Sequence, residues 1–127
     1  MYTELVIDHF TNPRNVGTLE DPDGYGKVES PVCGDLMEVY IKVKDGVIDD
    51  IRFRTFGCAA AIASSSIATE MVKGKPLEYV AELTDEKVAA ELGGLPEAKI
   101  HCSVLAASAL HTALQDYYQK HSEAQRA

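Results

Sequence analysis

Residues 36–56 read LMEVYIKVKDGVIDDIRFRTF. Leu36, Glu38, Tyr40, Lys42 and Lys44 alternate with Met37, Val39, Ile41 and Val43, the period of two that marks a strand with one buried face. Asp45-Gly46 interrupts the alternation with a dipeptide suited to a two-residue hairpin turn, because both residues tolerate positive φ. Val47-Ile48 and Ile51–Phe56 then resume the pattern. Upstream, Lys27–Ser30 is expected to supply a third strand, giving an antiparallel sheet with one face left for helices to cover.

Helical spacing takes over on both sides. Ala59–Lys73 reads as a helix with Ile62, Ala63, Ile67 and Met71 along one side. Its small runs, Ala59–Ala61 and Ser64–Ser66, predict close packing rather than strong intrinsic helicity. Gly74-Lys75-Pro76 breaks the pattern, Leu77–Glu82 and Asp85–Leu92 form shorter helices, the second with Thr84 as N-cap, and Gly93-Gly94 stops it. The last helix, His101–Lys120, turns Leu105 or Ala106, Ala109 or Leu110, Ala113 or Leu114, and Tyr117 toward the core. At the other end Met1–Phe10 reads as a short amphipathic helix closed by Asn12-Pro13, and residues 11–25 as a loop. Tyr2 and Val6 are expected to be exposed apolar residues of that helix, available to a partner. The fold class expected is α+β: a three-stranded antiparallel sheet covered on one face by helices, with an N-terminal amphipathic helix and a long C-terminal helix, in one domain over residues 1–127.

Composition narrows the function classes. A chain of 127 residues with 46% hydrophobic content buries a core without covalent staples. No apolar run reaches the length of a membrane span. A net charge of −8 disfavours nucleic acid and anionic lipid as partners and points to basic ones. Glu4 and Asp8 interrupt the apolar stretch near the start, which argues against a signal or transit peptide and for a reducing, cytoplasmic compartment, or the mitochondrial matrix in a eukaryote.

Three cysteines stand far apart, each in a distinctive setting: Pro31-Val32-Cys33-Gly34-Asp35, Gly57-Cys58-Ala59-Ala60-Ala61 and Lys99-Ile100-His101-Cys102-Ser103. An odd number precludes a complete disulfide framework. Each thiol lies beside a turn residue or a helix start, where backbone N–H groups favour thiolate. Asp35 adds a harder oxygen and His101 an imidazole, so the set suits a metal cluster that is built and handed on. A structural zinc site is a second reading, although such sites usually draw ligands from close Cys pairs and the gaps here are 25 and 44 residues. Three unrelated core cysteines are a third. His101 and Cys102 are adjacent on a helix and point about 100° apart, which favours alternating over joint ligation. His9, His111 and His121 lack comparable neighbours and are read as core-edge or surface residues. Lys99 either serves the pocket electrostatically or is solvated.

Four ordered motifs, YTELVIDHFTNPRNVG (2–17), PVCGD (31–35), GCAAAIASSS (57–66) and KIHCSVL (99–105), together resemble the IscU-type iron–sulfur cluster scaffold family, the N-terminal domain of NifU. The resemblance runs nearly end to end. It implies a scaffold rather than a turnover enzyme. Members receive sulfur as a persulfide from an IscS/NifS-type cysteine desulfurase, combine it with iron and electrons into a [2Fe–2S] cluster, and pass that cluster to acceptor proteins. Carried over by motif, Cys33, Cys58 and Cys102 match the cluster thiolates, Asp35 the aspartate beside the first cysteine, and His101 the histidine before the third. Zinc is expected in the cluster-free form. Cys102 or Cys33 accepts the sulfur, and Cys102 is favoured because a helix N-terminus stabilises its thiolate.

Two departures stand out. Ala59 and Ala60 follow Cys58 where relatives commonly have glycine and serine. Leu95-Pro96-Glu97-Ala98-Lys99 replaces the Leu-Pro-Pro-Val-Lys segment of scaffolds served by a dedicated Hsp70-type chaperone, which argues against recruitment of that chaperone.

Overall fold

The computed structural model describes residues 2–30, 34–96 and 99–126, without the side chains of His101 and of residues 121–126. Strands β2 (Leu36–Lys44) and β3 (Val47–Phe56) pair antiparallel around Asp45-Gly46. Both turn residues have positive φ, +54° and +74°, the twist that matches a tight hairpin. The register runs from Leu36↔Phe56 to Lys42↔Asp50 and then jumps to Val43↔Ile48, leaving Asp49 as an extra residue. That bulge lets Ile48 and Ile51, three positions apart, both face the core; strict alternation would turn one of them outward.

Strand β1 (Gly24–Glu29) pairs antiparallel with β2 on its other side, so the sheet order is β1-β2-β3. It starts earlier than the expected Lys27. Gly24-Tyr25-Gly26 looks like loop by composition, yet the glycines serve helix packing. A Cβ at Gly24 would lie 2.4 Å from the Ala113 carbonyl oxygen, and one at Gly26 2.4 Å from that of Ala109. Helix α5 (His101–Arg126) therefore lies directly on the strand backbone. Tyr25, between them, pairs with Tyr40 at 5.1 Å between ring centres.

Among the described residues four helices follow the sheet: α2 (Ala59–Val72), α3 (Leu77–Glu82), α4 (Asp85–Glu91) and α5 (His101–Arg126). Thr84 caps α4, its Oγ1 accepting the Lys87 N–H at 3.2 Å. The core lies between α2 and α5 and one sheet face, where Met37, Val39, Ile41, Ile51 and Phe53 meet Ala68, Val72, Ala106, Ala109 and Leu110. Helix α2 buries more than the predicted stripe. Ala60, Ala61, Ala63, Ser64, Ser65, Ser66, Ala68, Thr69 and Val72 are all buried, whereas Ile62, Ile67 and Met71 are half-buried. Small residues let neighbours close on the helix from several sides, and Ser65 satisfies its hydroxyl locally by donating to Ala61 O at 2.8 Å.

Helix α1 (Glu4–Thr11) packs on α2. Thr3 caps it, accepting the Val6 N–H at 3.2 Å and donating to the carbonyl of Leu92. One expectation is corrected here, and of the two places read for His9 the core edge is the one it takes. Val6 is fully buried against Ala63 and Leu92, and His9 is only 5% exposed. Three residues apart on one helix face, both point into the groove that the small α2 residues leave. Ser66 gives the imidazole a partner there, with 2.8 Å between His9 Nδ1 and Ser66 Oγ. The exposed apolar residues of α1 are Leu5, Ile7 and Phe10.

Candidate metal centre

Three local devices bring chemistry to one end of the sheet. Gly57 ends β3 and Cys58 is the N-cap of α2, with no side-chain capping bond. Its sulfur therefore sits at the positive end of the helix, where anionic sulfur is favoured. Cys102 lies in the first turn of α5 and is 1% exposed, packed with Ala60 and Ala61 beside Cys58, Tyr2 and Leu95. Ala60, one of the two alanines that depart from the family's usual residues, is thus part of the wall between α2 and Cys102 of α5. Asp35 enters β2 from Gly34, whose φ of +74° makes the turn. Its carbonyl accepts the Ser30 N–H at 2.7 Å, and the Gly34 N–H donates to Ser30 O at 2.9 Å.

The donor atoms of Asp35, Cys58 and Cys102 all lie within 4.8 Å of one another. The Cys58 and Cys102 sulfurs are 3.8 Å apart, far beyond a disulfide bond of about 2.05 Å. Two thiolates on one tetrahedral ion, each about 2.3 Å from it, stand about 3.8 Å apart, so the observed spacing already fits shared ligation. Asp35 Oδ2 is 3.9 Å from the Cys58 sulfur, close to the distance a carboxylate oxygen takes on the same ion. Asp35 is buried and Cys58 half-buried, so the group is sheltered with one thiol accessible.

Of the other sequence-predicted donors, Cys33 lies outside the described residues, as do Glu97 and Ala98 of the 95–99 segment. His101 opens α5 next to Cys102. Lys99 belongs to the site's electrostatics. The Cys58 thiolate raises its pKa most, Tyr2 adds to this, burial opposes it, and Cys102 and a hydrogen bond to Cys58 contribute less. Gly57 was not legible as a site residue, because what matters is the space it leaves. A Cβ there would fall 2.7 Å from Asp35 Cγ.

The family model of the NifU-like N-terminal domain matches residues 1–124. The chain belongs to the NifU-like N-terminal domain family. Among its relatives in this family, the iron-sulfur cluster assembly scaffold protein IscU 1 of Archaeoglobus fulgidus is 61% identical over 123 residues, covering 97% of this chain and 80% of the relative. The scaffold protein IscU of Aquifex aeolicus is 53% identical over 128 residues, covering 99% and 82%. The crystal structure of a nitrogen-fixing NifU-like protein (N-terminal) from Brucella abortus matches with a TM-score of 0.76 over 93% of this chain and 94% of that one, and at 23% identity it bears on the fold alone. The α+β architecture is thus the NifU-like one. Among the described residues no helix is long and apolar enough to cross a membrane.

Proposed function

We propose that this protein is an iron–sulfur cluster assembly scaffold, on which a [2Fe–2S] cluster is built and then transferred to acceptor proteins. It acts as a carrier, not as a turnover enzyme. The observation that carries this reading is the convergence of Cys58, Cys102 and Asp35 within 4.8 Å at the ends of separate elements, in a chain 61% identical to a relative named as such a scaffold. Cys33 and His101 complete the proposed ligand set by motif. Two thiolates and a carboxylate offer both soft and hard donors, so the set accepts iron firmly while keeping one weaker bond for release.

Sulfur enters from a cysteine desulfurase as a persulfide. The Cys102 thiolate attacks the outer sulfur, a new S–S bond forms on Cys102, the old one breaks, and the desulfurase cysteine leaves as a thiolate. Cys33 is the alternative acceptor. Reduction of the bound persulfide to sulfide takes two electrons from an external reductant. Zinc occupies the cluster-free site, and the protein works in the cytoplasm without the dedicated Hsp70-type chaperone.

The test is anaerobic incubation with Fe²⁺, a cysteine desulfurase, cysteine and a thiol reductant, followed by visible absorption and metal and sulfide analysis. Visible bands that require the desulfurase, with iron and sulfide in equal amounts, are expected. Zinc retained at full occupancy with no such bands would instead identify a zinc-holding sulfur-transfer protein.

A further inference from the structure

Gly57 precedes Cys58 and has an ordinary backbone, since the glycines of positive φ are Gly17, Gly34, Gly46, Gly74, Gly93 and Gly94. Dihedral preference therefore does not demand glycine there. Space does. A Cβ on Gly57 would lie 2.7 Å from Asp35 Cγ, 2.8 Å from Asp35 Oδ2 and 2.8 Å from Ala61 Cβ, all well inside carbon contact distance. The register explains the crowding. Leu36 pairs with Phe56 at the end of the hairpin, and one further step sets Gly57 opposite Asp35, where directly opposed side chains are close neighbours.

We propose that Gly57 is a positioning residue for Asp35: the side chain it lacks is the space in which the carboxylate stands beside the two thiols. The proposal rests on the reading of Asp35 as a ligand. Ala61 is one methyl on a packed helix and has no rotamer by which to yield. Asp35 can turn about χ1, so an added methyl at position 57 displaces the carboxylate. Oδ2 stands 3.9 Å from the Cys58 sulfur, and such a displacement takes it out of reach of an ion shared with Cys58. Gly57 touches no metal itself; its effect passes through Asp35.

The test uses Zn²⁺ alone as the probe, in a parent carrying Ala61→Gly so that the Asp35 contact is the one left. Gly57→Ala, Asp35→Ala and the two combined are compared in that parent by chelator competition, by the ligand-field spectrum of bound Co²⁺, and by far-UV circular dichroism. Either single change is expected to weaken Zn²⁺ binding by about tenfold to a hundredfold and to give the same Co²⁺ spectrum. In the Asp35→Ala chain, Gly57→Ala should then change neither. If Gly57→Ala prevents folding, restoration of the fold by Asp35→Ala supports the proposal and failure to restore it overturns it. If Gly57→Ala keeps the parent's affinity and spectrum while Asp35→Ala loses them, the proposal falls and the ligand reading stands. If Asp35→Ala is itself silent, the ligand reading falls and the proposal with it.

Discussion

Replacing His9 by asparagine should remove a specific part of the protein's acid sensitivity. His9 is buried on α1, with Nδ1 2.8 Å from Ser66 Oγ, and that oxygen also accepts the Arg14 N–H at 2.9 Å. The pattern is satisfied when the Ser66 hydroxyl donates to an unprotonated Nδ1. Protonation reverses that bond and places a buried positive charge near Arg14. Accordingly the pKa of His9 is lowered from its ordinary 6.5, by burial first and Arg14 second, with Asp8 and Glu70 opposing. The unfolded chain thus binds the proton more readily than the folded one. Stability from this group is complete above the unfolded pKa of about 6.5 and is lost as pH falls toward the lower folded value. One such proton gives a limiting slope of about 1.4 kcal/mol per pH unit. With unfolding entropy of about 2.1 cal/mol/K per residue, a chain of 127 residues converts that into about 5 °C in Tm per pH unit. Asparagine keeps an acceptor near the Nδ1 position and does not titrate. Urea melts of metal-free protein from pH 5 to 8, with chelator present because thiol–metal binding is itself pH-dependent, should show wild type losing stability relative to His9→Asn only below about pH 6.5. Contributions from residues common to both chains cancel in the difference. Parallel curves across the whole range would refute the argument, whatever constant offset the lost ring volume introduces.

Two further outcomes follow from the packing. Gly26→Ala should destabilise the protein by about 3 kcal/mol, the upper part of the overpacking range, because the new methyl meets backbone atoms, Ala109 O at 2.4 Å and Ala113 N at 2.6 Å, that cannot rotate away; a urea midpoint within error of wild type would contradict this. Val6→Asp should cost at least about 3 kcal/mol by burying an unpaired carboxylate, whereas Leu5→Asp on the exposed side of the same helix should stay within about 0.5 kcal/mol; equal effects in thermal melts would reject the assigned face of α1.

The elements that were legible beforehand are those where one periodicity dominates. The β2–β3 hairpin could be read because alternation and Asp45-Gly46 agree, and α5 because its apolar positions recur through Leu114. Strand β1 was misread at its start because Gly24 and Gly26 carry a tertiary instruction, room for α5, in a composition that locally means loop. The burial of Val6 was missed, and that of His9 left open, for a related reason. A short helix with apolar or neutral residues on several sides does not declare its inner face until Thr3 sets its start and the small residues of α2 provide a groove. At the site, Cys58, Cys102 and Asp35, which the structure brings together, announced themselves through their neighbours. Gly57 did not, since a missing side chain matters only once the register of Leu36 and Phe56 sets it opposite Asp35.

The same packing accounts for the site's local electrostatics in a chain of net charge −8. Helices α2 and α5 bring their N-termini together, since Cys58 caps one and Cys102 lies in the first turn of the other with 3.8 Å between the sulfurs. Each terminus carries roughly half a positive charge on unsatisfied N–H groups. Lys99 adds an ammonium whose pKa is raised chiefly by Cys58. A thiolate pair and a carboxylate crowded within 4.8 Å would repel one another strongly in a sheltered setting without such compensation. The two helix ends and Lys99 offset part of that repulsion before any cation arrives. Under the proposed function an incoming cation supplies the rest, and Asp35, as the one harder donor of the three, is the group whose withdrawal would weaken the hold on it.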